Sequence, residues 1–348
     1  MTNTISFYII TLIFKLFETQ SEMVTRMITK IIGTGSCVPE RIVTNDDLAQ
    51  IVETSDEWIQ SRTGIRERRI SEGADTAELA AGAAKAALEN AGISADDVDL
   101  ILVATSTPDH CFPNAACMVQ AAIGAERAVA YDISAACSGF LFAVNTAHAF
   151  LGSGIYRTAL VIGADTLSKI VDWSDRSTCV LFGDGAGAVF VRADNTKRYV
   201  AVTGSDGQKG DVLQAGRIPL KNLLVKNDFT DTDYYMSMNG QEVFKFAVKT
   251  VPEAIRQVTE KAGVALDEID CFLLHQANVR IIASVAKRLG IPEDKVPVNL
   301  NHYGNTSAAS IAILLDEVRR ERRFSPGSRL VLAGFGGGLT WGASYIEL

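Results

Sequence analysis

Three side chains in this sequence could act together as a nucleophile and its polar partners. Cys137 lies in DISAACSGF, residues 132–140, where small residues run into an apolar helical stretch. A thiol in the first turn of a helix feels the positive end of the macrodipole, which lowers its pKa toward the nucleophilic thiolate. Gly139 and the neighbouring alanines leave room for a substrate. His275 opens the tetrapeptide HQAN directly after the apolar run Cys271–Leu274, and a polar group at a strand end is placed for function. Asn305, in YGNTSAAS, follows Gly304 and suits the N-cap of a helix starting at Thr306. Its amide can also donate to a developing oxyanion. A glycine run, FGGGLT at 335–340, can bring backbone N–H donors against a ligand.

Each feature alone has a plainer reading. An isolated cysteine is usually a small buried residue, the histidine a core or capping group, the asparagine a cap. No G-K-[ST] follows the glycine run, and no dinucleotide fingerprint surrounds GDGAG at 183–187. Of the other histidines, His148 lies within an apolar helix and reads as structural, while His110 and His302 lie in loops and stay open in role.

The elements that must position these groups alternate. Alanine-rich AELAAGAAKAALEN at 77–90 consists of strong helix formers. LILVA at 100–104 and ALVIG at 159–163 are short apolar runs, as buried strands are. Alternation of this kind predicts an α/β fold with helices covering sheets.

The chain also repeats itself. AGISADDVDLILV begins at 91 and AGVALDEIDCFLL at 262, an offset of 171. The same offset carries Gly163 onto Gly334, and SAACSGF at 134–140 onto NTSAASI at 305–311. Two related halves are expected, 27–195 with the cysteine and 196–348 with the histidine and asparagine. Their equivalent helix starts would face a shared cleft, a common ligand site.

Composition narrows the function. The 348 residues are 47% hydrophobic and 21% charged, with a net charge of -8. That balance argues against bulk nucleic-acid binding, which needs a clustered basic face. Six scattered cysteines without a C-x-x-C pair disfavour structural zinc and thioredoxin-like redox chemistry, and read as reduced thiols of a cytoplasmic protein. Residues 1–26 look foreign to the rest. Their apolar run FYIITLIFKLF is too short for a membrane span, interrupted by Lys15, and lacks signal-peptide flanks. They read as a non-native or flexible extension, without stable membrane insertion.

Taken together, EWIQSRTGIRERR at 57–69, DISAACSGF, LFGDGAGA at 181–188, HQAN, GNTSAAS and GFGGGLTWG at 334–342 resemble β-ketoacyl-acyl carrier protein synthase III, within the thiolase-like superfamily. The resemblance spans Met27 to Leu348. It implies the five-layered α-β-α-β-α fold of two duplicated halves, and an initiating condensing enzyme of type II fatty acid biosynthesis. It implies Cys137 as nucleophile with His275 and Asn305 as partners, and the backbone N–H groups of Cys137 and Gly337 as oxyanion hole. Asn305 is the discriminating letter, since elongating members of the superfamily place a second histidine there.

The resemblance also implies CoA contacts. Trp58 and Arg176 would sandwich the adenine, Arg62 would approach the phosphates, and Gly240 and Asn278 the pantetheine arm. The segment Gln276, Ala277, Asn278, Val279 and Arg280, with Lys245, Lys287 and Arg288, would meet an acidic acyl carrier protein. Phe112 would reach across a homodimer interface to close the acyl pocket and favour short acyl groups. No metal or redox cofactor is implied. Two other readings stand beside this one: a related acyltransferase of specialised metabolism, and a non-catalytic thioester-binding protein.

Overall fold

The computed structural model describes residues 28–194, 198–225 and 234–348. The expectations for residues 1–26 lie outside these residues. The apolar runs become strands of two sheets. The first holds β1 (Ile28–Cys37), β2 (Leu100–Ala104), β3 (Val129–Ile133), β4 (Thr158–Asp165) and β5 (Gly185–Asp194), in the order β1-β5-β4-β2-β3. The second holds β6 (Tyr199–Ser205), β7 (Cys271–Leu274), β8 (Arg329–Gly336) and β9 (Thr340–Glu347), in the order β6-β9-β8-β7.

Apart from the edge strand β3, the two orders match strand for strand. β1-β5 and β6-β9 are antiparallel, β5-β4 and β9-β8 are antiparallel, and β4-β2 and β8-β7 are parallel. The 171-residue offset holds for strand starts. It relates the first residues of β2 and β7, Leu100 and Cys271, and those of β4 and β8, Thr158 and Arg329.

The helices fall into three layers around the sheets. Alanine-rich α1 (Thr76–Ala91) and α2 (Ala115–Ile123) cover the outer face of the first sheet, burying Ala80, Ala83, Ala84 and Ala87 completely. Their small side chains let the helix backbone lie close to β1. Between the sheets run α3 (Gly139–Gly152) and its repeat-mate α6 (Ser310–Arg320), with Phe140, Leu141, Ile311 and Leu314 in a core shared by both sheets. On the outer face of the second sheet lie α4 (Gly240–Ala262) and α5 (Val279–Leu289). This is the five-layered duplication the sequence predicts. Among the described residues, no helix is long and apolar enough to cross a membrane.

Candidate active site

Cys137 sits in a single 3-10 turn, Ala136–Ser138, that leads from β3 into α3. The repeat places a second such turn, Ser307–Ala309, before α6. Both turns open on a non-glycine residue with positive φ, Ala136 at 46° and Ser307 at 49°. Left-handed backbone is costly for a residue with a Cβ and persists where the surroundings over-determine it. The end of β8 supplies that constraint for the first turn. A Cβ on Gly336 would lie 2.6 Å from the Cys137 nitrogen, so only glycine lets the run pass. Ser138 Oγ bonds Thr340 Oγ1 at 2.7 Å, and Thr340 Oγ1 donates to the Gly337 carbonyl at 3.0 Å, fastening the glycine run to the turn.

The expected lowering of the Cys137 pKa is not what the structure shows. Burial pushes the thiol up to about 12, and the nearby Asp165 carboxyl adds to the rise. The Ser307 hydroxyl and the turn's own backbone N–H act the other way without outweighing burial. Position at a helix start was legible in the sequence; the depth of protein around it was not.

His275 follows β7, held by its N–H donating to the Ala333 carbonyl at 2.9 Å. Its Nδ1 lies 2.7 Å from Ser310 Oγ, and its ring stands edge-on to Phe335 at 5.4 Å. Nδ1 is thus occupied, which leaves Nε2 for the cavity. Burial lowers the imidazole pKa to about 3, so the ring is neutral. Asn305 forms a bridge with Phe182, its N–H donating to Leu181 O at 2.8 Å and its carbonyl accepting from Gly183 N at 3.1 Å. Its Oδ1 accepts from Ser307 N at 2.9 Å, capping the second turn. Nδ2 remains free to donate, so the capping and donor roles coexist.

These groups share one cavity of about 790 Å³, lined by Cys137, His275, Asn305 and Gly337, with Ser307 beside them. Its apolar wall includes Leu167, Ile170, Met236 and Met238. The cavity also reaches Trp58, Arg62, Gly240 and Asn278. The Arg176 guanidinium lies 5.0 Å from the Trp58 ring centroid, and its Nη1 donates to Glu53 O at 2.7 Å. Arg62 lies 6.0 Å from the same ring. Asn278 caps α5 through Arg280 N and donates to Arg62 O at 3.1 Å, so it ties two mouth segments together.

The HQANVR segment does not lie on the surface as one contact strip. Gln276 is only 1% exposed. It donates to Leu274 O at 2.7 Å and accepts from Asn299 N at 3.1 Å, so it pins the 299–300 chain and cannot meet a partner protein. Ala277 lines the cavity, and Val279 packs where a Cβ on Gly64 would fall. Arg280, Lys245, Lys287 and Arg288 are exposed on α4 and α5. Lys245 pairs with Glu242 at 2.8 Å, and Arg288 donates to Val248 O at 2.7 Å, bridging the two helices. Phe112 stands away from the cavity, 87% exposed. His148 bonds Thr29 Oγ1 at 2.9 Å and stacks on Tyr199, as a structural histidine does.

The sequence reading missed the supporting shell: Ser138, Asp165, Ser307, Ser310 and Thr340. Asp165 is fully buried and accepts from Ser106 N at 2.7 Å, Thr107 Oγ1 at 2.9 Å and Ala308 N at 3.2 Å, joining the two halves behind the turns. Ser138 was visible in DISAACSGF and Ser307 and Ser310 in GNTSAAS, but only the fold shows what they touch.

Two family models match, described as 3-oxoacyl-[acyl-carrier-protein] synthase III over residues 131–207 and as its C-terminal part over 259–348. The chain is 50% identical over 323 residues to the β-ketoacyl-[acyl-carrier-protein] synthase III of Clostridium acetobutylicum, covering 91% of this chain and 98% of that one. The crystal structure of 3-oxoacyl-[acyl-carrier-protein] synthase III from Aquifex aeolicus matches with a TM-score of 0.86 at 47% identity, covering 92% and 100% of the two chains. The priming β-ketosynthase of the R1128 polyketide pathway matches with a TM-score of 0.87 at 34% identity, covering 93% and 97%. Fold and likeness together define a condensing enzyme of the thiolase-like class. Within that class, the chain belongs to the β-ketoacyl-[acyl-carrier-protein] synthase III family.

Proposed function

We propose that this enzyme performs the first condensation of fatty acid synthesis, joining the acyl group of a short acyl-CoA to malonyl-acyl carrier protein. The observation that carries this reading is the convergence of Cys137, His275 and Asn305 on one cavity whose mouth bears the Trp58–Arg176 stack. In the first half-reaction the Cys137 sulfur attacks the thioester carbonyl. The Cys137 and Gly337 N–H groups receive the oxyanion. Collapse expels CoA, which leaves as the thiol, taking up the proton that Cys137 gives up. Carbon–sulfur bond made and carbon–sulfur bond broken balance, so no oxidant or reductant is called for.

In the second half-reaction, His275 Nε2 and Asn305 Nδ2 donate to the malonyl thioester oxygen. The bond to the carboxylate breaks, carbon dioxide leaves, and its electron pair becomes the enolate. The enolate carbon then attacks the acyl-cysteine and releases the Cys137 thiolate. A neutral imidazole suits this task, because its N–H strengthens toward an oxyanion without a charge to be stranded in an apolar cavity.

The carrier protein would dock on the exposed cations Lys245, Arg280, Lys287 and Arg288 around the mouth. Phe112 would be covered by a second copy and close the acyl pocket, which fits its exposure on the single chain. Intact mass spectrometry after incubation with a panel of acyl-CoAs tests the reading, with decarboxylation of malonyl-carrier protein assayed beside it. An acyl adduct absent from Cys137→Ala, together with carbon dioxide release, supports it. No adduct with any acyl-CoA would point to a thioester-binding protein without catalysis.

A further inference from the structure

We propose that Ser310 is a positioning residue that fixes the tautomer of His275, holding its proton on Nε2. The proposal rests on His275 acting as a donor in decarboxylation. The imidazole has two neutral forms with opposite chemistry. With the proton on Nδ1, Nε2 is a base; with the proton on Nε2, it is a donor to an oxyanion. Which form exists is set by the group that Nδ1 meets.

That group is the Ser310 hydroxyl, 2.7 Å away. Ser310 is 2% exposed and His275 3%, and the contact between Nδ1 and Oγ is buried, so that contact has no water to fall back on. Ser310 Oγ already accepts from the Gln276 backbone N–H, at 3.5 Å. Among the described residues, no other acceptor stands within hydrogen-bond reach of the hydroxyl. If Nδ1 carried the proton, Oγ would accept from both neighbours and its own proton would be buried without a partner. If the hydroxyl donates to Nδ1, the Gln276 N–H, the Ser310 hydroxyl and Nδ1 are all satisfied. The chain Gln276 N–H to Ser310 O–H to His275 Nδ1 then runs one way and ends on an Nε2–H facing the cavity.

The duplication supplies an independent observation. The 171-residue offset maps His275 onto Ala104 and Ser310 onto Gly139. In the first half these mates also face each other: a Cβ on Gly139 would lie 3.1 Å from the Ala104 Cβ. One contact is thus built twice, as Ala–Gly where there is no imidazole and as His–Ser where there is one. The hydroxyl accompanies the ring and is absent where it is absent. Ordinary helix-start packing does not require it, since glycine serves at the equivalent place.

The experiment uses the full-length enzyme with 15N-labelled histidine. In wild type the His275 ring should show a protonated Nε2 and a bare Nδ1. In Ser310→Ala the population should move toward protonated Nδ1. Malonyl decarboxylation should fall at least about tenfold, the usual scale for losing an orienting partner, while acylation of Cys137 by acyl-CoA stays within twofold. Ser310→Thr, which keeps the hydroxyl, should restore both the spectrum and decarboxylation. A wild-type ring protonated on Nδ1 would overturn the inference, as would a Ser310→Ala enzyme with unchanged spectrum and unchanged decarboxylation. Parallel loss of both half-reactions with an unchanged spectrum would mean a packing role only. His275→Ala separates the two levels. If it decarboxylates normally, the functional reading of His275 fails; if it does not and Ser310→Ala does, this inference alone fails.

Discussion

At rest the cavity holds a thiol kept protonated and an imidazole kept neutral, both by burial. Below a pKa near 12, the thiolate fraction grows about tenfold for each unit that the pH rises. Alkylation of Cys137 by iodoacetamide should therefore climb by about that factor per unit from pH 7 to 10 without a plateau. Mass spectrometry against a Cys137→Ser control reads it, and saturation below pH 9 would show a thiol activated at rest. For His275 the sign runs the other way. Its pKa is lowered to about 3, so the ring gains a proton only well below pH 5. Decarboxylation by enzyme acylated beforehand should hold level from pH 8 to 5. A fall with a midpoint near the ordinary histidine value would mean that water reaches the ring.

The elements were largely legible in the sequence. Wholly apolar LILVA and ALVIG became buried strands, the alanine run became a helix packed on a sheet, and the 171-residue offset appeared in both sheets and both turns. What the sequence could not give was the facing of individual side chains in irregular segments. The resemblance implies one contact segment over 276–280, yet Gln276 turns inward because the 299–300 chain lands beside it, a contact made across 23 residues. The two ends of that segment should behave differently. Gln276→Ala leaves the Asn299 N–H unpaired and should cost about 1–3 kcal/mol, seen as a lower Tm. Arg280→Glu should leave Tm unchanged and raise KM for malonyl-carrier protein, more so at low salt, as a rim charge does. Equal Tm losses would place Arg280 in the fold instead.

At the scale of the molecule, the site depends on how closely the two halves meet. A Cβ on Gly163, in β4, would lie 2.2 Å from the Ala308 carbonyl in the second turn. That contact sets the spacing between β4 of the first sheet and the turn that Asn305 caps. Gly163→Ala should force the turn outward at a cost of about 1–3 kcal/mol, lowering both acylation and decarboxylation. Gly73→Ala, with nothing within 4 Å of its Cβ, should alter neither stability nor rate. Denaturant unfolding and the two half-reaction assays check both variants. Normal activity in Gly163→Ala would show that the turns tolerate separation.

The paired turns also make catalysis a gauge of assembly. The first turn carries a sulfur, while the offset sets Ser134 where the second half has its amide and Ala104 where it has its ring. The second half has the amide and the ring, but its turn has Ala308 in place of the sulfur. With the roles proposed above, each half should be inert by itself, however well its own sheet is formed. A molecule whose halves have folded but not yet closed on each other would show native secondary structure and no turnover, so the return of activity on refolding would time the closing of the seam.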